Sequence, residues 1–137
     1  MLTIGDLSRK TGVKVPTIRY YEQMGLMAPA ERSEGNQRRY DRNERDRLSF
    51  IKHARDLGLT IESIRELLDL SAHPERPCRQ ADRIAAEQLR AVRDRIEKLK
   101  RLEHELERIS THCSGDHVRD CYVIRALANH DLCDGEH

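Results

Sequence analysis

Three cysteines are spaced for metal chemistry shared between two chains. Cys78 and Cys113 stand at the two ends of one helical pattern, and Cys121 follows eight residues after Cys113. Between the first two run Ala81, Ala85, Leu89, Val92, Ile96, Leu99, Leu102, Leu106 and Ile109, whose steps of three and four residues form a coiled-coil seam. At about 1.5 Å per helical residue, the two ends lie roughly 50 Å apart. Metal–sulfur bonds are only about 2.3 Å long, so no ion joins Cys78 and Cys113 along one helix. An antiparallel dimer of the same helix brings Cys78 of one chain to Cys113 and Cys121 of the other. Cys113 and Cys121 alone are a weak signal; flanking a Ser-Gly-Asp-His loop, with Cys78 arriving from a partner, they form a ligand set. His117 in that loop is a candidate fourth donor, while His112 more simply faces solvent. Cys133, among His130, Asp131, Asp134 and His137, is a candidate accessory site on a polar tail.

The elements that must position these thiols follow from local signals. Residues 3–10 read as a short helix with Thr3 or Gly5 near its start and Ile4 and Leu7 inward, broken at Thr11-Gly12-Val13. Pro16 opens a second helix over about 15–23, because a proline in the first turn loses little. Helix, glycine turn, helix is a helix-turn-helix pattern. Lys14, Thr17, Arg19 and Tyr20 on the second helix suit phosphates and base edges. Residues 26–42, with Pro29, Gly35 and Gln37-Arg38-Arg39-Tyr40, read as a loop or two short strands forming a wing. Helical spacing returns over 43–56, and Thr60 caps another helix with Ile64, Leu67 and Leu68 as its stripe. The predicted organisation is a head over 1–70, a hinge over 71–78, a dimerisation coiled coil over 79–110, and a metal-binding loop, short helix and tail over 111–137. In the short helix, Val123, Ile124 and Leu127 are expected inward.

Composition narrows the classes. Of 137 residues, 36 % are charged and 4 % aromatic, which fits a small globular head on a long helix better than one large core. Residues 1–60 hold 12 Lys/Arg against 8 Asp/Glu, a net +4; residues 61–137 hold 13 against 16, a net −3. The front suits a polyanion and the back does not. No stretch approaches the roughly 20 apolar residues of a membrane span. A cytoplasmic protein with reduced thiols is expected, where four cysteines suggest metal or redox chemistry over disulfides. No paired carboxylates, nucleophile arrangement or phosphate loop argues for an enzyme.

Residues 2–70 resemble the MerR family of transcriptional regulators. The match runs through Ile4-Gly5-Asp6-Leu7, Thr11-Gly12-Val13, Thr17-Ile18-Arg19-Tyr20-Tyr21-Glu22, Gly25-Leu26, Pro29, Arg32, Arg38-Arg39-Tyr40 and Leu57-Gly58-Leu59-Thr60-Ile61. The remainder is similar to the heavy-metal branch, with one Cys at the start of the dimerisation helix and two around a loop at its far end. The resemblance implies an all-α dominated fold: a winged helix-turn-helix head and an antiparallel coiled coil, as a homodimer on double-stranded promoter DNA. Arg19, Tyr20, Arg38 and Tyr40 fall at its DNA-contacting positions. It further implies a repressor without metal and an activator with it, acting on RNA polymerase indirectly through DNA shape at a resistance or efflux promoter. The seven-residue loop between Cys113 and Cys121 resembles that of copper-sensing members, which carry Ser where this chain has Cys78. The third thiolate suits a divalent ion, Zn(II), Cd(II) or Pb(II), with Hg(II) as the main rival, whereas Cu(I) is content with two. Other readings are a Cu(I)-responsive or thiol redox-sensing regulator on the same frame, and a metal-buffering coiled coil without a DNA role.

Overall fold

A computed structural model describes residues 1–28, 31–32, 35, 38–111 and 117–129. Contacts divide the chain into two units, Met1–Ile84 and Ala85–His137.

The first unit is the head. Helix α1 (Ile4–Thr11) starts at a reciprocal cap: the Thr3 hydroxyl accepts from the Asp6 amide at 3.1 Å, and Asp6 accepts from the Thr3 amide at 3.3 Å. Gly12, at φ 76°, ends it in a left-handed turn that a side chain would strain. Helix α2 (Val15–Gln23) follows with Pro16 in its first turn, as the spacing predicted. The wing is a two-stranded antiparallel ribbon of β1 (Glu31–Arg32) and β2 (Arg38–Arg39), with Glu31 opposite Arg39. A backbone bridge pairs Tyr40 with Leu2 at 2.8 Å in both directions, tying the wing's end to the start of the chain.

Helix α3 (Arg42–Asp56) begins at an Asp41–Glu44 reciprocal cap, and α4 (Ile61–Ser71) at Thr60. Leu7, Ile18, Leu26, Met27, Tyr40, Leu48, Ile51 and Ile64 form the fully buried centre. Two arginines hold the turn after α2: Arg47 donates to the Leu26 carbonyl and Arg65 to that of Met24, each at 2.5 Å. Ile84, from the second turn of α5 (Arg79–Thr111), is buried in the same core, so the head reaches past the predicted boundary at 70.

In the second unit, α5 continues and α6 (Tyr122–Ala128) follows a single 3-10 turn at Val118–Asp120. The expected inward face of α6 needs correction. Ala126 is buried and Val123 partly so, but Ile124 and Leu127 are exposed. A two-turn helix buries only one side on a single neighbouring helix, and Tyr122 and Ala126 occupy that side. Along α5, Leu89, Val92, Ile96, Leu99 and Leu106 are all exposed, the last to 66 %. Among the described residues no helix is long and apolar enough to cross a membrane.

Candidate functional site

Helix α2 presents the first group of predicted contacts. Lys14, its N-cap, is exposed, as are Arg19 and Tyr20; Thr17 is partly buried. The opposite face of α2 carries Ile18 and Tyr21 into the core. This split is why a nine-residue helix holds its polar groups outward in a fixed direction. The Tyr20 ring lies 6.0 Å from that of Tyr21 at 53°, so the exposed tyrosine leans on the buried one.

Tyr40 is corrected. It is fully buried, and its hydroxyl donates to Glu22 Oε1 at 2.6 Å. A side chain sealed in the core has no surface to offer a phosphate; Tyr40 instead ties the wing to the end of α2. Arg38 lies in β2, and its side chain falls outside the described residues.

Of the thiols, Cys78 sits immediately before α5 and is exposed. It borders a groove lined by Phe50, Leu67, Leu70, Pro77 and Ala81. The Asp82 amide donates to the Cys78 carbonyl at 3.0 Å. The Cys78 thiol reaches Asp82 Oδ2 at 3.7 Å. Cys121 is half-buried at the N-cap of α6, and His117 is exposed before the 3-10 turn. Cys113, Cys133 and His112 lie outside the described residues. Among the described residues no three His, Cys, Asp or Glu side chains gather closely enough to hold an ion. A thiol beside a carboxylate, as at Cys78, is the type of donor pair that suits a borderline or soft divalent cation.

A cluster missed from sequence holds Cys121 in place. Glu105, 5 % exposed, accepts from Arg108 Nη2 at 2.5 Å, and Arg108 Nη1 donates to the Tyr122 hydroxyl at 2.6 Å. The guanidinia of Arg108 and Arg125 also lie 5.5 and 6.0 Å from the centre of the Tyr122 ring. Arg108 is raised above its ordinary value, first by Glu105 and then by Tyr122, and is a permanent cation. The residue after Cys121 is thereby clamped to α5. Arg108→Met deprives a buried carboxylate of a charged donor. It is expected to lower stability. Denaturant unfolding checks this as a lower midpoint at unchanged slope.

Comparison with known proteins decides the family. The model of the MerR HTH family regulatory protein matches residues 2–71, just over half the chain, and that described as MerR, DNA binding, matches residues 45–109. The chain belongs to the MerR family. It is 37 % identical to heavy metal-dependent transcription regulator 2 of Rhizobium meliloti (strain 1021), over 93 % of this chain and 87 % of that protein. It is 40 % identical to the HTH-type transcriptional regulator ZntR of Escherichia coli (strain K12), over 93 % and 92 %. Its structure is similar to that of the transcription regulator PbrR691 from Ralstonia metallidurans CH34 in complex with lead(II), with a TM-score of 0.78 and 35 % identity over 93 % of this chain and 99 % of that one. The MerR chain is thus a DNA-binding transcriptional regulator of the heavy-metal branch, and not an enzyme.

Proposed function

We propose that the protein is a homodimeric regulator of a resistance or efflux promoter that responds to Zn(II), Cd(II) or Pb(II) through a site shared by two chains. Cys78 of one protomer and Cys113 and Cys121 of the partner subunit supply the thiolates. The lead complex of PbrR691 and the name of ZntR support this choice of metals at 35 % and 40 % identity. The exposed seam from Leu89 to Leu106 supports the dimer, since apolar residues repeated at that spacing stabilise a helix only when covered.

The observation that carries the reading is that Cys78 is attached to the head. Ile84, six residues on, is buried in the head core, and Gln80 donates to Glu66 of α4 at 3.1 Å. A force on Cys78 is therefore passed to α4 and the head core, against which α2 holds Arg19 and Tyr20. When bound, the ion supplies a cross-link between the two protomers. Tying Cys78 to the far end of the partner helix reorients the heads, which changes the DNA shape presented to polymerase. The response requires only that the activating arrangement bind the ion better than the repressing one.

A reporter panel in reduced, air-excluded conditions tests this. Transcription should rise with Zn(II), Cd(II) or Pb(II) and stay flat with Cu(I). Activation by an oxidant alone, or by Cu(I) alone, would overturn the reading.

A further inference from the structure

We propose that Asp82 is the fourth, oxygen donor to the ion held by Cys78, and that it biases the site towards zinc and cadmium over softer metals. This rests on the thiolate site proposed above.

Three thiolates leave a four-coordinate ion such as Zn(II) or Cd(II) one donor short. Among the described residues, Asp82 is a carboxylate placed to complete the set. It lies one helical turn after Cys78, so the two side chains stand on one face of α5. The Asp82 amide bonded to the Cys78 carbonyl at 3.0 Å fixes that register. Oδ2 is then 3.7 Å from Sγ. In a tetrahedral zinc site with bonds of about 2.3 Å to sulfur and 2.1 Å to oxygen, the two donors stand about 3.6 Å apart. The pair is therefore already at the separation that one ion requires. With the proton gone from sulfur, an ion could take its place between the two atoms.

Both groups are exposed, so their open side can receive the thiolates of the partner subunit. The carboxylate also sits in the first turn of α5, where the helix dipole favours negative charge. Its oxygen discriminates between metals. Borderline ions gain from an oxygen donor, whereas Hg(II) and Cu(I) are satisfied by sulfur and gain little. Asp82 is already at the bite distance from a ligand.

The full dimer, reduced and air-excluded, is titrated with Zn(II), Cd(II) and Hg(II) against a competing chelator. Wild type is compared with Asp82→Asn and Asp82→Ala, and X-ray absorption counts the sulfurs around bound zinc. Both variants should bind Zn(II) and Cd(II) at least about tenfold more weakly, a scale on which even the outer partners of metal ligands act, with Hg(II) nearly unchanged and three sulfurs retained. Unchanged Zn(II) and Cd(II) affinity with three sulfurs present would overturn the assignment of Asp82 and leave the thiolate site standing. An equal loss for all three metals would also overturn it, because Asp82 would then act by placing Cys78 rather than as a donor. Fewer than three sulfurs in the wild type would overturn the thiolate site and Asp82 with it.

Discussion

Cys78→Ser is expected to abolish transcriptional activation by Zn(II), Cd(II) and Pb(II) while leaving DNA binding by the metal-free protein close to wild type. The two halves of this expectation have separate causes. Cys78 is exposed and takes no part in the core, so exchanging sulfur for oxygen should change stability by less than about 0.5 kcal/mol. The head that meets DNA is then intact. The site itself loses its only thiolate from the head. A serine hydroxyl does not ionise near neutral pH and is too hard a donor to replace a thiolate on a soft ion. Two thiolates from the partner subunit can still hold metal, but its tie to the head is reduced to the single oxygen of Asp82, so binding and response come apart. A promoter–reporter assay with these metals, beside a gel-shift titration of the metal-free protein, reads both halves. An unchanged Cd(II) or Pb(II) response would remove Cys78 from the site.

Arg19→Ala should cause the largest loss of DNA affinity among the head variants. Arg19 is exposed on the outward face of α2, opposite the buried Ile18 and Tyr21. A dimer carries the residue twice. If each copy neutralises one phosphate, the slope of log affinity against log salt should fall by about two, with weakening on all sequences alike. If it reads a base edge, discrimination of about 1–3 kcal/mol per site should vanish instead. Fluorescence anisotropy at several salt concentrations, on operator and random duplexes, separates the two. Tyr40→Phe serves as the contrast. It should cost stability of about 1 kcal/mol through the lost bond to Glu22 and leave the salt slope unchanged, since Tyr40 is fully buried.

Local signals made most of the architecture legible. Pro16 in the first turn of α2, Thr60 as the cap of α4 and the three-four spacing from Ala81 to Ile109 each act over a few residues, and those elements fall where they were expected. What escaped depends on contacts between distant parts. Tyr40 looks like its basic neighbours in sequence, but the bridge to Leu2 turns it inward. Ile84 lies off the seam that runs through Ala81 and Ala85, and nothing in its local spacing says that it packs in the head. On α6, periodicity identified the apolar residues without saying that one neighbouring helix covers only part of them. The Glu105–Arg108–Tyr122 cluster joins two elements across a loop, so no spacing rule marks it. Asp82 was within reach as an i,i+4 neighbour of Cys78, but carboxylates in first helical turns are ordinary, and only the 3.7 Å separation distinguishes this one.

The shared site is tested most directly in mixed dimers. One chain carries Cys78→Ser and the other carries Cys113→Ser with Cys121→Ser, each with a different affinity tag so that the heterodimer can be isolated. If ligands come from both protomers, the intact Cys78 of one chain meets the intact Cys113 and Cys121 of the partner subunit, and the second site loses all three thiolates. The heterodimer should then bind one Cd(II) with wild-type affinity, whereas neither mutant homodimer forms a three-thiolate site. A heterodimer that binds no better than the two homodimers would contradict the account, because the ligands would then have to come from within a single chain.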